Sequence, residues 1–465
     1  MNELKKLTKG TLVYLFGTIG SKLVSFLLLP LYTKYLPPEA YGLYDVNITY
    51  ATLFSSFFFL DIWTGIMRFF FERKEEQGKQ QVVYCGAVIF AGSTLLYAGS
   101  MLLFGARIHM EYLPGVMLYG FCLCLQNLYG YLARAYGWNF YFALSGIVST
   151  LCNALLNAAL LMLAHMDYSA LYVSFGAGIL IQCMMLEGKV HVLSGFRRSY
   201  LERGTIRELL RFSLPLCVNS LCYWLLTGYN KVIINQKLSD ADNGYYAIGT
   251  KFAGILLIVA SCFTMAWQEL AYGKYEKSEE NGQFYTRAVN LYLAALFLGY
   301  GILIPAIYLF FPLLVDDQYS RALALVPLSM LAAFGGILYT FLGNIITTFK
   351  RNDVIFLSTL CACGVNMAVL HGGIGKLGVH AANLALFLGY AASDLLRVWI
   401  IRREISFRLD GRILLGGSVL AGITLWNFFA GGWLGNGIQV LFGAGGGAGI
   451  ACVVIFRYLR EKGKS

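Results

Sequence analysis

Apolar residues run in long stretches along this chain, broken by short clusters of charge or of Pro and Gly. Reading the runs between breaks gives fourteen segments, starting near residues 12, 41, 81, 113, 141, 168, 209, 244, 287, 323, 354, 379, 412 and 436. Each is about 20 residues long, enough for a helix to cross the hydrocarbon core of a bilayer. None shows the alternation of a half-buried strand, and a spanning segment must satisfy its own backbone hydrogen bonds. The predicted fold is therefore an all-α polytopic membrane protein with about fourteen transmembrane helices. The first run follows MNELKKLTKG with no small-residue cleavage site, so it reads as a retained span rather than a signal peptide.

Composition agrees with this pattern: 58% of the 465 residues are hydrophobic and 13% charged, against roughly 25% charged in a soluble domain. Mean hydropathy is +0.63. The net charge of +11 raises the question of nucleic acid, but its placement answers it. With the N-terminus inside, 28 of the 36 Lys and Arg fall in inner segments, six in outer loops, and two, Lys22 and Lys251, within spans. Cytoplasmic loops carry such an excess, and one missed or invented helix would invert every later loop. The expected location is a membrane that the chain crosses many times, with both termini on the cytoplasmic side and no nucleic-acid partner. Cysteines such as Cys122, Cys124, Cys361 and Cys363 sit in apolar runs with spacings unlike those of zinc sites, so neither a metal nor disulfides are expected.

An internal repeat organises the spans. A shift of 202 residues aligns Leu7, Leu12, Leu36, Gly42 and Tyr44 with Leu209, Leu214, Leu238, Gly244 and Tyr246, and a shift of 213 aligns Asn139 and Asn153 with Asn352 and Asn366. Six spans separate equivalent points, an even number, so the copies are parallel repeats, and in folds of this kind the transport site lies between the halves. The division expected is an N-terminal lobe over residues 1–200, a C-terminal lobe over 201–405, and two extra helices over 406–465.

Polar residues recur at helical spacing in spans 1, 2, 7 and 8: Tyr14, Thr18, Lys22 and Ser25; Asp45, Thr49, Thr52 and Ser56; Ser220, Tyr223, Thr227 and Asn230; and, less regularly, Thr250 to Gln268. Such stripes either glue helices together or line a water-filled cavity. Lys22 lies roughly 16 Å and Lys251 roughly 10 Å from the nearer end of its span at 1.5 Å per residue, and Lys231 stands at the outer end of span 7. A buried ammonium needs an anion or water. That anion is either an internal carboxylate, Asp45 or Asp61, or an anionic substrate such as a phosphate or diphosphate. Asp61 and Glu269 either carry protons or ions during a cycle or pair with neighbours such as Arg68. Asp394 and Arg397, three residues apart, are expected to pair with each other. No catalytic constellation and no cofactor motif is visible.

The opening GTLVYLFGTIGSKLVSFLLLPLYTKYLPPEAYGLYDV, together with RELLRFSLPLCVNSL and KLSDADNGYYAIGTKFAGIL at the start of the second copy, resembles the polysaccharide transporter (O-antigen flippase type) family of the multidrug/oligosaccharidyl-lipid/polysaccharide (MOP) exporter superfamily. The resemblance covers essentially the whole chain and rests on diffuse loop and glycine patterns. It implies a two-lobed bundle that moves an undecaprenyl-diphosphate-linked oligosaccharide between leaflets for cell-surface polysaccharide biosynthesis. Its partners would be that substrate, membrane lipids and polysaccharide assembly proteins. The family's cationic cavity maps onto Lys22, Lys251 and Lys231; the polar stripes add Asp45, Thr18, Ser25 and Tyr223 as candidate cavity residues. Lysines stand where related flippases often use arginine, which favours a point charge over a bidentate grip.

Two rivals remain at this level. A multidrug exporter of the same superfamily would favour an acidic cavity for cationic drugs, against which the central lysines argue. A membrane enzyme, such as a repeat-unit polymerase, needs a catalytic group on an accessible face, and no outer loop exceeds roughly fifteen residues.

Overall fold

Proline and strained backbone decide where the helices of this protein begin and break. The computed structural model describes residues 26–193, 195–273, 279–349 and 351–443, with the side chains of 259, 261–281 and 352 outside that description. Two compact units make up the chain, Met1–Gly244 and Tyr245–Ser465. Among the described residues eleven helical stretches are long and apolar enough to cross a membrane. The other three predicted spans fall partly outside the described residues.

In the first unit, α1 (Leu29–Tyr35) stops before Leu36, which is extended ahead of Pro37 as the proline ring requires. Pro38 then opens α2 (Pro38–Phe58), its fixed φ suited to the first turn and its missing N–H costing nothing there. Leu60 and Asp61 have left-handed backbones with φ of 57° and 50°, so span 2 is two helices, α2 and α3 (Ile62–Glu72). Next come α4 (Glu76–Arg107), α5 (Leu113–Ala135), α6 (Asn139–Met162), α7 (Ser169–Val190) and α8 (Arg203–Lys237), the last with Pro215 in its interior. Helix α6 packs along α7, α7 along α5, and α8 along α2. Between α6 and α7, Asp167 accepts from the Ser169 N–H at 2.9 Å and from the Tyr112 hydroxyl. Partial burial pushes its carboxyl up, but the bonds from Ser169 and Tyr112 outweigh this and hold it below the usual carboxylate range.

Helix α9 (Asp240–Gly273) starts at the end of the first unit and continues into the second. The second unit goes on with α10 (Glu279–Leu314), a 3₁₀ segment (Asp317–Leu325), α11 (Val326–Thr348), α12 (Asn352–Leu377), α13 (His380–Glu404) and α14 (Gly411–Ala430), and residues 432–443 are again helical. The described parts of the last two predicted spans pack on α10. A Cβ at Gly417 would stand 2.2 Å from the Phe297 ring, and Gln439 donates to the Gly301 carbonyl at 3.0 Å and to Thr424 at 2.6 Å.

The repeat read from the sequence is visible in the packing. In the first unit α7 approaches α6 so closely that a Cβ at Gly178 would lie 2.8 Å from the Ser149 carbonyl and 3.2 Å from the Asn153 Cβ. In the second, a Cβ at Gly389 would lie 2.7 Å from the Ala362 carbonyl and 3.2 Å from the Asn366 Cβ. Ala362 and Asn366 are the residues that the 213-residue shift places on Ser149 and Asn153. Small residues let helix backbones approach where no aqueous hydrophobic force drives them together.

Candidate functional site

The best-defined polar cluster of the first unit is built by two helix starts that nearly touch. A Cβ at Gly42 would stand 1.8 Å from the Asp240 carbonyl oxygen and 2.6 Å from the Gly244 nitrogen, and a Cβ at Gly244 would stand 2.1 Å from the Pro38 carbonyl oxygen. These are backbone atoms, so both positions require glycine. The contact is reciprocal: Gly42 and Gly244 are equivalent under the 202-residue shift, as are Pro38 and Asp240.

This approach brings α8 and the first turn of α9 over Asp45 of α2. Lys231 Nζ donates to Asp45 Oδ1 at 2.9 Å. Asn243 Nδ2 donates to the Gly42 carbonyl at 2.8 Å and lies 3.5 Å from Asp45 Oδ2. The Asp45 side chain is 10% exposed and that of Lys231 25%, so the pair is largely buried, the lysine less completely than the carboxylate. Tyrosine rings wall the neighbourhood, Tyr41 to Tyr44 at 6.0 Å and Tyr44 to Tyr172 at 5.0 Å.

Farther along the same helices, Trp224 Nε1 donates to the Thr49 carbonyl at 2.9 Å, and Ser220 Oγ donates to Asp61 Oδ2 at 2.5 Å. Beyond the break in span 2 a charge pair closes the seam, Arg73 to Glu208 at 2.9 Å. The stripe hydroxyls of Thr49, Thr52, Thr227 and Thr250 donate to carbonyls of their own helices, as Ser and Thr do within apolar helices.

The residues singled out from the sequence thus separate. Asp45 and Lys231 meet. Asp61 is engaged by Ser220, while Arg68 turns to Glu72 at 3.0 Å. Tyr223 is 58% exposed. Lys251 is half-buried on α9, within the second unit. Thr18, Lys22 and Ser25, and the side chain of Glu269, lie outside the described residues.

Asp394 and Arg397 correct their expectation: no ion pair joins them. Arg397 is buried, donates from Nε to Ser358 Oγ at 2.9 Å and from a terminal nitrogen to the Tyr339 carbonyl, and stacks 3.7 Å from the Tyr339 ring centre. Asp394 Oδ1 and Arg397 Nη2 are buried without hydrogen-bond partners. Asn243 and the tyrosine wall were missed from sequence. Asn243 lies in the first turn of α9 beside Asp240 and Asp242, a short polar stretch without a periodic signal, and Tyr44 stands out in the sequence only as a landmark of the repeat.

A family model described as polysaccharide biosynthesis protein matches residues 7–268. The chain belongs to that family. The matched region runs from before the first predicted span through α2 and α8 into α9, and so includes Asp45, Lys231 and Asn243. Among relatives of this chain, the Lsg locus putative protein 1 of Haemophilus influenzae is 25% identical over 270 residues. That alignment covers 56% of this chain and 65% of the relative, less than two thirds of its length. Among solved structures, the lipid II flippase MurJ in an inward closed conformation matches with a TM-score of 0.71 at 13% identity, over 96% of this chain and 99% of that one. An inward-facing multidrug resistance MATE family transporter of the MOP superfamily matches at 0.61, with 13% identity, over 86% and 96%. At these identities the likeness is one of fold, and it extends over nearly the whole of this family member.

Proposed function

We propose that this member of the polysaccharide biosynthesis protein family is a flippase. It moves an undecaprenyl-diphosphate-linked oligosaccharide from the inner to the outer leaflet of the bacterial cytoplasmic membrane, by alternating access and without chemical change to its cargo. The observation that carries this reading is the family match, joined to a flippase fold that covers 96% of the chain. The multidrug alternative is supported less: the MATE likeness is weaker and shorter, and the polar residues of spans 1, 7 and 8 include three lysines.

In this reading, Lys22, Lys251 and Lys231 neutralise the diphosphate, and Thr18, Ser25 and Tyr223 meet its polar surroundings. Lys231 engages Asp45 in the described state, so a diphosphate must displace that carboxylate or bind beside it to the partly exposed lysine side chain. Exchange of one anion for another at Lys231 would then accompany loading. Asp61 and Glu269 are the proposed ion-coupling carboxylates, and the lobes are residues 1–200 and 201–405, with 406–465 appended. Both termini lie in the cytoplasm, and proteins of polysaccharide assembly take up the flipped product.

The test uses proteoliposomes carrying a fluorescent undecaprenyl-diphosphate oligosaccharide on one leaflet. Wild-type protein should expose it to a membrane-impermeant reagent on the other side, and a folded Lys22→Ala, Lys251→Ala double variant should lose this. Failure of the wild type with several such lipids, alongside transport of a cationic dye, would replace the flippase by the multidrug reading.

A further inference from the structure

The first turns of α8 present a face that no neighbouring helix covers among the described residues. Arg203, Arg207 and Arg211 recur every four residues and form a row about 12 Å long at 1.5 Å per residue. Ile206, Leu210 and Leu214 form a parallel row, and between the two runs an open groove of about 490 Å³ lined by these six side chains. Among the described residues none of the three arginines is in an ion pair, whereas Glu208 of the same turns is held by Arg73. The charge count assigns this end of span 7 to the cytoplasmic side, which accounts for the presence of arginine there. It does not account for three arginines aligned beside an apolar row.

The groove lies on a segment able to bend. Pro215 follows Leu214 directly and removes the backbone bond to the Arg211 carbonyl. The break in span 2 at Leu60 and Asp61 lies against it, with Cys217 Sγ on the Phe57 carbonyl at 3.5 Å and Ser220 on Asp61. Beyond these breaks α3 and residues 203–214 pack as a pair: the Phe69 and Phe212 rings are 5.7 Å apart, and Arg68 stacks 4.6 Å from the Phe212 ring centre.

We infer that the groove binds an anionic phospholipid of the adjacent leaflet, its phosphate on the arginine row and its first acyl methylenes on Ile206, Leu210 and Leu214. A soluble anion would satisfy the guanidinium groups and leave the apolar row exposed; a lipid anion covers both. Basic pockets at the cytoplasmic ends of spans suit anionic headgroups, and planar guanidinium groups can grip phosphate oxygens in pairs. The bound lipid anchors the hinged pair of half-helices to the leaflet. None of this depends on what the protein transports.

The test is native mass spectrometry of the delipidated full-length protein, titrated with phosphatidylglycerol or with phosphatidylcholine of the same chains. Wild type should retain phosphatidylglycerol where phosphatidylcholine is lost. The Arg203→Gln, Arg207→Gln, Arg211→Gln variant should bind it on the order of tenfold or more weakly. The matching triple Lys variant should keep most of the binding, which separates charge from misfolding. A Lys189→Gln, Arg197→Gln variant, which removes two positive charges elsewhere, should bind like wild type. Equal retention by the triple Gln variant, equal binding of the two lipids, an equal loss in the Lys189, Arg197 variant, or displacement by glycerol phosphate at the lipid's own concentration would each overturn the proposal.

Discussion

Asp45 and Asp394 are carboxylates buried within predicted spans, one in each unit, and the protein treats them differently. Asp45 receives an ammonium from a residue 186 positions away on α8, with an amide from the first turn of α9 beside the other oxygen. Asp394 has a guanidinium one turn along its own helix and makes no ion pair with it, because Arg397 reaches to the Tyr339 carbonyl, the Tyr339 ring and Ser358 on neighbouring helices. Proximity along a helix decides pairing on the exposed surface, as for Arg68 and Glu72, but not at these two buried carboxylates. There approach between helices decides it, since long side chains go where desolvated carbonyls and hydroxyls are waiting.

The contrast can be broken hardest at the contact that creates the Asp45 cluster. Gly42→Ala should cost about 3 kcal/mol or more, because the atoms it meets are backbone and cannot rotate aside. The midpoint of thermal unfolding in detergent should fall sharply, and an unchanged midpoint would mean that the segments at 38–42 and 240–244 do not touch. Next in size, Asp45→Asn should cost about 2 kcal/mol, below the range for a fully buried pair because Lys231 keeps a quarter of its exposure. Adding Lys231→Met should recover most of this loss, and a double-mutant cycle with no coupling would dissolve the pair.

In the second unit, Arg397→Met should cost about 1–2 kcal/mol, since the lost bonds to Ser358 and Tyr339 are offset by relief of guanidinium burial. Asp394→Asn should change stability by less than about 1 kcal/mol in either direction, as no ion pair is broken. A loss there as large as that of Asp45→Asn would erase the distinction between the two carboxylates. The smallest effect belongs to exposed Asp167, whose carboxyl is held below its ordinary range. Its contribution is complete above the unfolded value near pH 4 and is lost as pH falls through the lower folded value, so Asp167→Asn should flatten the acid limb of an unfolding titration.

Much of the fold is legible in the sequence. Span positions followed from apolar runs, and the correspondence of Asn153 with Asn366 reappears as the same helix contact in each unit. The candidate site was legible in part. Asp45 and Lys231 stood out as charges within or at the end of apolar spans, yet the sequence offered Asp45 as an anion for Lys22 or Lys251. Its pairing with Lys231 and the part played by Asn243 depend on two glycines meeting across helices, and local spacing contains no such information. The i, i+3 spacing of Asp394 and Arg397 misled for the same reason.

What the sequence determined by itself about this family member is what one-dimensional patterning can encode: membrane residence, span number, the repeat, and which few positions place charge in an apolar setting. A bilayer imposes those rules segment by segment, so each run reports on itself. Which charge meets which, where span 2 breaks, and how the appended helices lean on α10 were decided by tertiary structure. These depend on how closely backbones approach, and that distance is set by small residues far apart in the chain.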